Sequence, residues 1–254
     1  MMTTNPFDLT GKLALITGGG TGLGTGMAKA MCNAGAKVVI TGRREPVLVD
    51  AVKELGENAH FIVHDMNELD TIPGLVEKVE QTFGPIDVVV NNAGINMKKP
   101  AIEVSDEDFN QIIHTNLNAV FALTRECAKK MLPRKQGSII MISSMTAMYG
   151  IDRVAAYSAS KSAVKGMIMG LASEFSPFGV RINAIAPGFI ESPMMLNAMD
   201  NDPQRKAKVL GRTPMGTFGK AEDIGYTAVF LASNAARFVT GTTIPVDGGN
   251  SIGF

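Results

Sequence analysis

The sequence predicts an α/β protein, a single doubly wound domain in which a parallel sheet of seven strands carries helices on both faces. Three observations predict it. Apolar runs of four or five residues alternate with stretches of helical periodicity from Leu13 to Val246, the pattern of repeated βα units. The first run stops at a glycine cluster, as a buried parallel strand does before a tight turn. No linker or low-complexity break interrupts the alternation, so 1–254 reads as one domain.

Leu13-Ala-Leu-Ile-Thr17 is the first strand. Thr17-Gly-Gly-Gly-Thr-Gly-Leu-Gly24 is the turn, and a helix follows with Leu23, Met27, Ala30, Met31 and Ala34 inward until Gly35 ends it. Lys37–Thr41 is the second strand, so the unit should cross over right-handed. A helix over Glu45–Leu55 leads to the strand His60–His64, and one over Ile72–Phe83 leads to Ile86–Val90. Ser105-Asp-Glu-Asp108 resembles a capping box and is predicted to open one long helix to about Met131. The strands Ser138–Ile142, Arg181–Ile185 and Thr243–Val246 follow, separated by helices over Tyr157–Phe175 and Glu222–Leu231. A polar, Met-rich segment within 187–217 is left without a strand and reads as a loop or lid.

The 24 Lys+Arg balance 24 Asp+Glu, so no net field points to nucleic acid or an anionic membrane. The N-terminus has no basic and apolar signal regions, and no apolar run approaches a membrane span. The expectation is a cytoplasmic protein. Cys32 and Cys127 fit no metal or disulfide spacing and read as small buried hydrophobes. His60, His64 and His114 fall on a strand and a helix, and no metal is expected.

Gly18, Gly22 and Gly24 let the backbone turn tightly and approach a ligand, and the helix start behind them offers free amides to a pyrophosphate. No Gly-Lys-Ser/Thr follows, so this is no Walker A loop. A fold selecting NAD places an acidic residue about twenty positions past the glycines. Here Thr41-Gly42-Arg43-Arg44 stands there, and arginine can pair with a 2′-phosphate. The prediction is a preference for NADP(H), with NAD(H) as the alternative.

Tyr157 and Lys161 are four residues apart, on one helix face. By spacing alone they are an ordinary amphipathic pair. A free tyrosine has a pKa of ~10, and a neighbouring ammonium should lower it toward the range proton transfer needs.

Taken together and in order, Thr17-Gly-x-x-x-Gly-x-Gly24, Asn91-Asn-Ala-Gly94, Asn116, Ser144, Tyr157-x-x-x-Lys161 and Pro187-Gly188 resemble the short-chain dehydrogenase/reductases. These are Rossmann-type enzymes that transfer hydride between NAD(P) and a carbonyl or alcohol, and the resemblance spans Gly11 to Gly249. It implies Tyr157 as acid in reduction and base in oxidation. Lys161 tunes it and holds the nicotinamide ribose, Ser144 polarises the substrate oxygen, and Asn116 holds a water of the proton relay. It also implies cofactor contacts at Gly18, Thr21, Gly22, Leu23 and Gly24. Asp65 and Met66 would meet the adenine, and Asn92, Ala93 and Gly94 would line the adenosine side. Pro187, Gly188 and Ile190 would meet the nicotinamide, with Ser192 replacing the family's usual threonine.

Ser143-Ser-Met145, Arg212-Thr-Pro-Met-Gly216 and Val246-Asp-Gly-Gly249 resemble the gluconate 5-dehydrogenase-like branch, which acts on sugar acids and polyols. The substrate is then a small carbonyl or alcohol touching Ser144, Met145, Tyr157 and Met194. Met148, Met195 and Met199 would add an apolar wall. The 3-oxoacyl-carrier-protein reductases share nearly the same motifs. For that reading Lys98, Lys99, Lys129, Lys130, Arg134 and Lys135 are candidates to receive an acidic carrier. A dinucleotide-binding sensor without turnover is the non-enzymatic alternative. The family implies a homodimer or homotetramer built on Asp106–Met131 and Tyr157–Phe175, with Val164, Met167, Ile168 and Leu171 as interface candidates.

Overall fold

The computed structural model describes residues 5–253, with the side chains of Pro193, Met194 and Ala198 outside the described set. The strands are β1 (Leu13–Thr17), β2 (Lys37–Gly42), β3 (Ala59–Val63), β4 (Val88–Asn91), β5 (Gly137–Ile142), β6 (Val180–Pro187) and β7 (Thr243–Val246). All pair in parallel in one sheet of order β3-β2-β1-β4-β5-β6-β7. The strands shift by one or two residues at some ends from the predicted spans, because ladder pairing continues past the apolar run.

Alternation along each strand sends side chains to two separate cores. Leu13, Leu15, Val39, Val89, Ile139 and Met141 face α3 (Ile72–Phe83), the long helical segment after β4, and α6 (Ala155–Phe175). Ala14, Ile16, Val38, Ile40, Val90 and Ile142 face α1 (Gly22–Asn33), α2 (Glu45–Leu55) and α9 (Ala221–Ala232). Val164 and Ile168 are buried in the first of these cores, so the sheet accounts for the apolar face expected at an interface. Cys127 is fully buried, whereas Cys32 is only half-buried.

Two predicted elements differ. The long helix is α4 (Asp106–Ile113) and α5 (Ala119–Arg134), joined through a π-helical turn at His114–Asn118. Its start is a complete capping box: Ser105 Oγ accepts from Asp108 N, and Asp108 Oδ2 accepts from Ser105 N. The Met-rich segment is not a plain loop. It holds α7 (Pro193–Asp200) and α8 (Pro203–Arg212), capped by Ser192 and Asp202, which accept from Met195 N and Arg205 N. Proline opens each helix, where its missing N–H costs nothing.

Candidate active site

Strand order reverses between β1 and β4, so the chain leaves these neighbours toward opposite faces and opens a crevice at their C-terminal ends. A cleft of about 940 Å³ occupies that place. Gly18, Thr21, Gly22, Leu23, Arg43, Arg44, Asp65, Met66, Asn92, Ala93, Gly94, Gly188, Ile190 and Ser192 all line it. Four expected contacts, Gly24, Pro187, Tyr157 and Lys161, do not. Gly24 lies behind the turn, packed on Gly18 and Asn92, and Pro187 is buried at the end of β6.

The glycine turn is fixed from β4. Thr17 Oγ1 accepts from Asn92 N and Ala93 N, each at 3.0 Å, while Asn92 Nδ2 donates to Thr17 O at 2.9 Å and Gly18 O at 3.1 Å. The Asn92 amide nitrogen therefore staples two strands together, while Asn92 itself still borders the cleft. Thr21 stands at the N-cap of α1 with no side-chain cap, leaving first-turn amides open to an anion. At the far wall Arg43 is 66% exposed, with its guanidinium 4.0 Å from Asp65. Asp65 Oδ1 accepts from Asn67 N, so the carboxylate also shapes its own loop.

Ser144 ends the β5 side and begins a short 3₁₀ turn, its Oγ accepting from Thr146 N at 3.1 Å. Tyr157 and Lys161 project from α6. Lys161 is 4% exposed, and its ammonium donates to Ile142 O at 2.7 Å. It lies 5.7 Å from the Tyr157 ring centroid. The expected depression of the Tyr157 pKa is corrected: burial pushes the phenol above its ordinary value, and the Ser144 hydroxyl beside it pulls the other way. Burial in turn brings Lys161 down to about 8. The Ile142 carbonyl, which has no charge to titrate, holds the ammonium instead.

Neither Tyr157 nor Lys161 forms the cleft wall, yet both adjoin it. A side-chain carbon at Gly94 would sit 3.6 Å from Lys161 Nζ and 3.1 Å from Asn116 Oδ1. Asn116 is fully buried on the π-helical turn. Its Oδ1 accepts from Ile95 N at 2.8 Å, and its Nδ2 donates to Ile95 O at 2.8 Å and Ser160 Oγ at 3.1 Å. The side chain thus fixes the loop after β4 to α6, beside Lys161. A π-helical turn frees one backbone carbonyl from the ladder, and such turns recur at functional sites.

Sequence reading missed Asn67. His114 Nε2 donates to Asn67 O and Thr115 Oγ1 donates to Asn67 Oδ1, each at 2.8 Å, tying the Asp65 loop to the turn that carries Asn116. It also missed Tyr149, Arg212 and Asn250, whose contact crosses a hundred residues of sequence. Met145 is buried next to Ser144, Met195 lines the cleft, Met199 is buried in the lid and Met148 is exposed. The expected contact at Met194 falls on a side chain outside the described residues. No group of three or more His, Cys, Asp or Glu side chains is placed to hold a metal among the described residues. No described helix is long and apolar enough to cross a membrane.

A dinucleotide-type crevice with a buried Ser144 and Lys161 and a half-buried Tyr157 at its edge defines an oxidoreductase of the nicotinamide class. The family model described as enoyl-(acyl carrier protein) reductase matches residues 18–251. The 2-dehydro-3-deoxy-D-gluconate 5-dehydrogenase of Escherichia coli is 38% identical over 252 residues, 98% of either chain. The 3-oxoacyl-[acyl-carrier-protein] reductase of Rickettsia prowazekii is 39% identical, covering 95% of this chain and 98% of that one. The structure of gluconate 5-dehydrogenase from Burkholderia cenocepacia, in complex with NADP and tartrate, superposes with a TM-score of 0.92 at 33% identity over 98% of each chain. The chain belongs to the short-chain dehydrogenase/reductase family and is an NAD(P)-dependent oxidoreductase of CH–OH groups.

Proposed function

We propose that the protein is an NADP(H)-preferring dehydrogenase that interconverts a ketone and a secondary alcohol on a small sugar acid or polyol. The observation that carries the reaction is the grouping of Ser144, Tyr157 and Lys161 by the end of β5, where the Ser144 hydroxyl adjoins the phenol and Lys161 Nζ borders Gly94 of the cleft. The bound nicotinamide supplies or accepts the hydride. The amides at the start of α1 hold the pyrophosphate, Asp65 and Met66 the adenine, Arg43 and Arg44 the 2′-phosphate, and Gly188, Ile190 and Ser192 the nicotinamide end. Tyr157, a phenol already protonated at neutral pH and whose pKa burial raises further, delivers its proton to the carbonyl oxygen in reduction. Ser144 donates to that oxygen as negative charge develops on it. Lys161 and the Asn116 turn keep the proton path ordered beside the phenol. Helices α7 and α8 close over the substrate, and Met145 and Met195 give it an apolar wall.

Two supports favour a sugar acid over a carrier-bound acyl chain. One is the run of relatives named for gluconate and 2-dehydro-3-deoxygluconate. The other is the basic surface. Lys129, Lys130 and Arg134 pair with Glu126, Glu77 and Glu80 at 2.7–2.8 Å. They and Lys135 also lie near the start of β5, the end of the sheet away from the site. Of the candidate carrier contacts on the site side, Lys99 is paired to Asp108 at 2.8 Å. Assembly as a dimer or tetramer belongs to the same proposal: α4, α5 and α6 leave Phe109, Phe121 and Met169 exposed. Light scattering measures it.

The deciding experiment follows NADPH and NADH loss with 5-ketogluconate and an acetoacetyl thioester, and NADPH and NADH formation from NADP+ and NAD+ with 2-keto-3-deoxygluconate, whose C5 alcohol would be oxidised. Sugar-acid turnover with NADPH is expected. Preferred thioester turnover makes the protein a 3-oxoacyl reductase, and NADPH binding without any turnover makes it a sensor.

A further inference from the structure

Arg212 ends α8, and its guanidinium carbon lies 4.1 Å from the centroid of the Tyr149 ring. Its Nε donates to Asn250 O at 2.9 Å. The asparagine is fully buried; its Nδ2 donates to Thr213 Oγ1 at 2.8 Å, and its Oδ1 accepts from the Tyr149 hydroxyl. The end of α8, the segment after β7 that carries Asn250 and the segment after Ser144 that carries Tyr149 thus meet around one cation. That cation has no carboxylate within 4.0 Å among the described residues. The acidic group facing Tyr149 is Asp247, and it is turned into its own loop, accepting from Gly249 N at 3.0 Å and Ser251 N at 2.7 Å. A half-buried guanidinium held on one edge and one face keeps its remaining N–H groups for a planar anion.

The position is close to the chemistry. Tyr149 Oη lies 3.3 Å from Met145 Sδ, on the residue after Ser144. The same turn, with Tyr149, Thr146, Ile151 and Ser158, borders a shallow open hollow of about 380 Å³, and Arg212 packs on Tyr149 from outside its lining. We propose that Arg212, laid across Tyr149 and positioned by Asn250, receives the carboxylate of the substrate whose carbonyl is held at Ser144 and Tyr157. The assignment rests on the sugar-acid reading above and deepens it, because Arg212 then selects acids over neutral ketoses.

The test compares kcat/KM for 5-ketogluconate and for fructose, a ketose without a carboxylate, in the full-length wild type, Arg212→Lys and Arg212→Met. Thermal melting and NADPH titration establish that each variant is folded and loaded. Arg212→Met is expected to lower the acid-over-neutral ratio roughly 10- to 100-fold, mainly through KM, and Arg212→Lys to recover part of it. Equal losses on both substrates, or an unmoved ratio, overturn the clamp while leaving the sugar-acid reading in place. If Arg212→Met does not fold, Arg212→Lys with a wild-type ratio and wild-type KM overturns it as well. A wild type that reduces no sugar acid overturns the substrate reading, and the clamp with it.

Discussion

The Lys161 ammonium donates to the Ile142 carbonyl at 2.7 Å, so the buried cation of the Tyr–Lys pair is anchored to the end of β5. Burial lowers its pKa from the ordinary 10.5 to about 8. Between those values the unfolded chain binds more protons than the native one, so stability rises with pH across that window, and the whole cost of the buried charge is felt below it. Lys161→Met removes this dependence. Its stability relative to wild type should be most favourable below pH 8 and decline by on the order of 1–3 kcal/mol as pH approaches 10.5. Loss of the bond to Ile142 offsets the difference without changing its slope. Urea unfolding at pH 7 and pH 10 measures it; a flat difference refutes the lowered pKa.

Tyr157→Phe keeps the buried ring and deletes the proton. Turnover should fall ~10²- to 10⁴-fold, the usual contribution of a positioned acid, with NADPH affinity within about twofold of wild type. Stopped-flow or steady-state NADPH loss, alongside fluorescence titration, reads both. Substantial residual turnover takes the acid role away from Tyr157.

Arg43 is held only by a 4.0 Å approach to Asp65 and is mostly exposed, a loose pair that contributes little to folding. Its value lies in binding. Arg43→Ala with Arg44→Ala should lower kcat/KM for NADPH roughly 10- to 100-fold and leave NADH much less affected. A wild type that already prefers NADH sinks the assignment.

Two glycines of one turn should respond differently to alanine. A methyl group at Gly24 would collide with the Gly18 carbonyl, a backbone atom, and come within 2.8 Å of Asn92 Nδ2, a side-chain amide held by Thr17 O and Gly18 O. Gly22 has open space around it but a φ of +56°. Gly22→Ala should cost ~1–2 kcal/mol, the left-handed penalty alone. Gly24→Ala must move the turn that Asn92 staples, so a larger loss of melting temperature and of NADPH affinity is expected. Equal effects would contradict this packing.

The strands and the order of motifs were legible because a parallel sheet buried on both faces writes near-continuous apolar runs, as in Leu13–Thr17 and Ser138–Ile142. Helix interruption was not. His114–Asn118 has ordinary helical periodicity, and its π-helical turn is set by Asn116 reaching Ile95 and Ser160 across the fold. The Lys161 partner was hidden for another reason: Ile142 O is backbone, and side-chain patterns say nothing about backbone acceptors. Arg212, Tyr149 and Asn250 escaped because their meeting depends on how α8 and the segment after β7 pack. Spacing along the chain carries no trace of that.

Asn116 separates a fastening role from a merely buried one. Asn116→Ala deletes three hydrogen bonds and leaves Ile95 N and Ile95 O without their partner in a half-buried loop, while Ser160 Oγ keeps its bond to Tyr157 O. Each group left without its partner costs ~1–3 kcal/mol, so a loss of about 2 kcal/mol or more is expected, or roughly 4–8 °C in melting temperature. Asn116→Asp keeps an acceptor for Ile95 N but loses both donated bonds and turns a carboxylate toward Ile95 O. It should therefore recover little of the loss. Because the loop from Gly94 to Ile95 borders Lys161 Nζ, turnover should fall further than the folded fraction does. Calorimetry of both variants, with kcat measured well below their melting temperatures, separates the two effects. A kcat that tracks folded protein alone would leave Asn116 a fastening and nothing more.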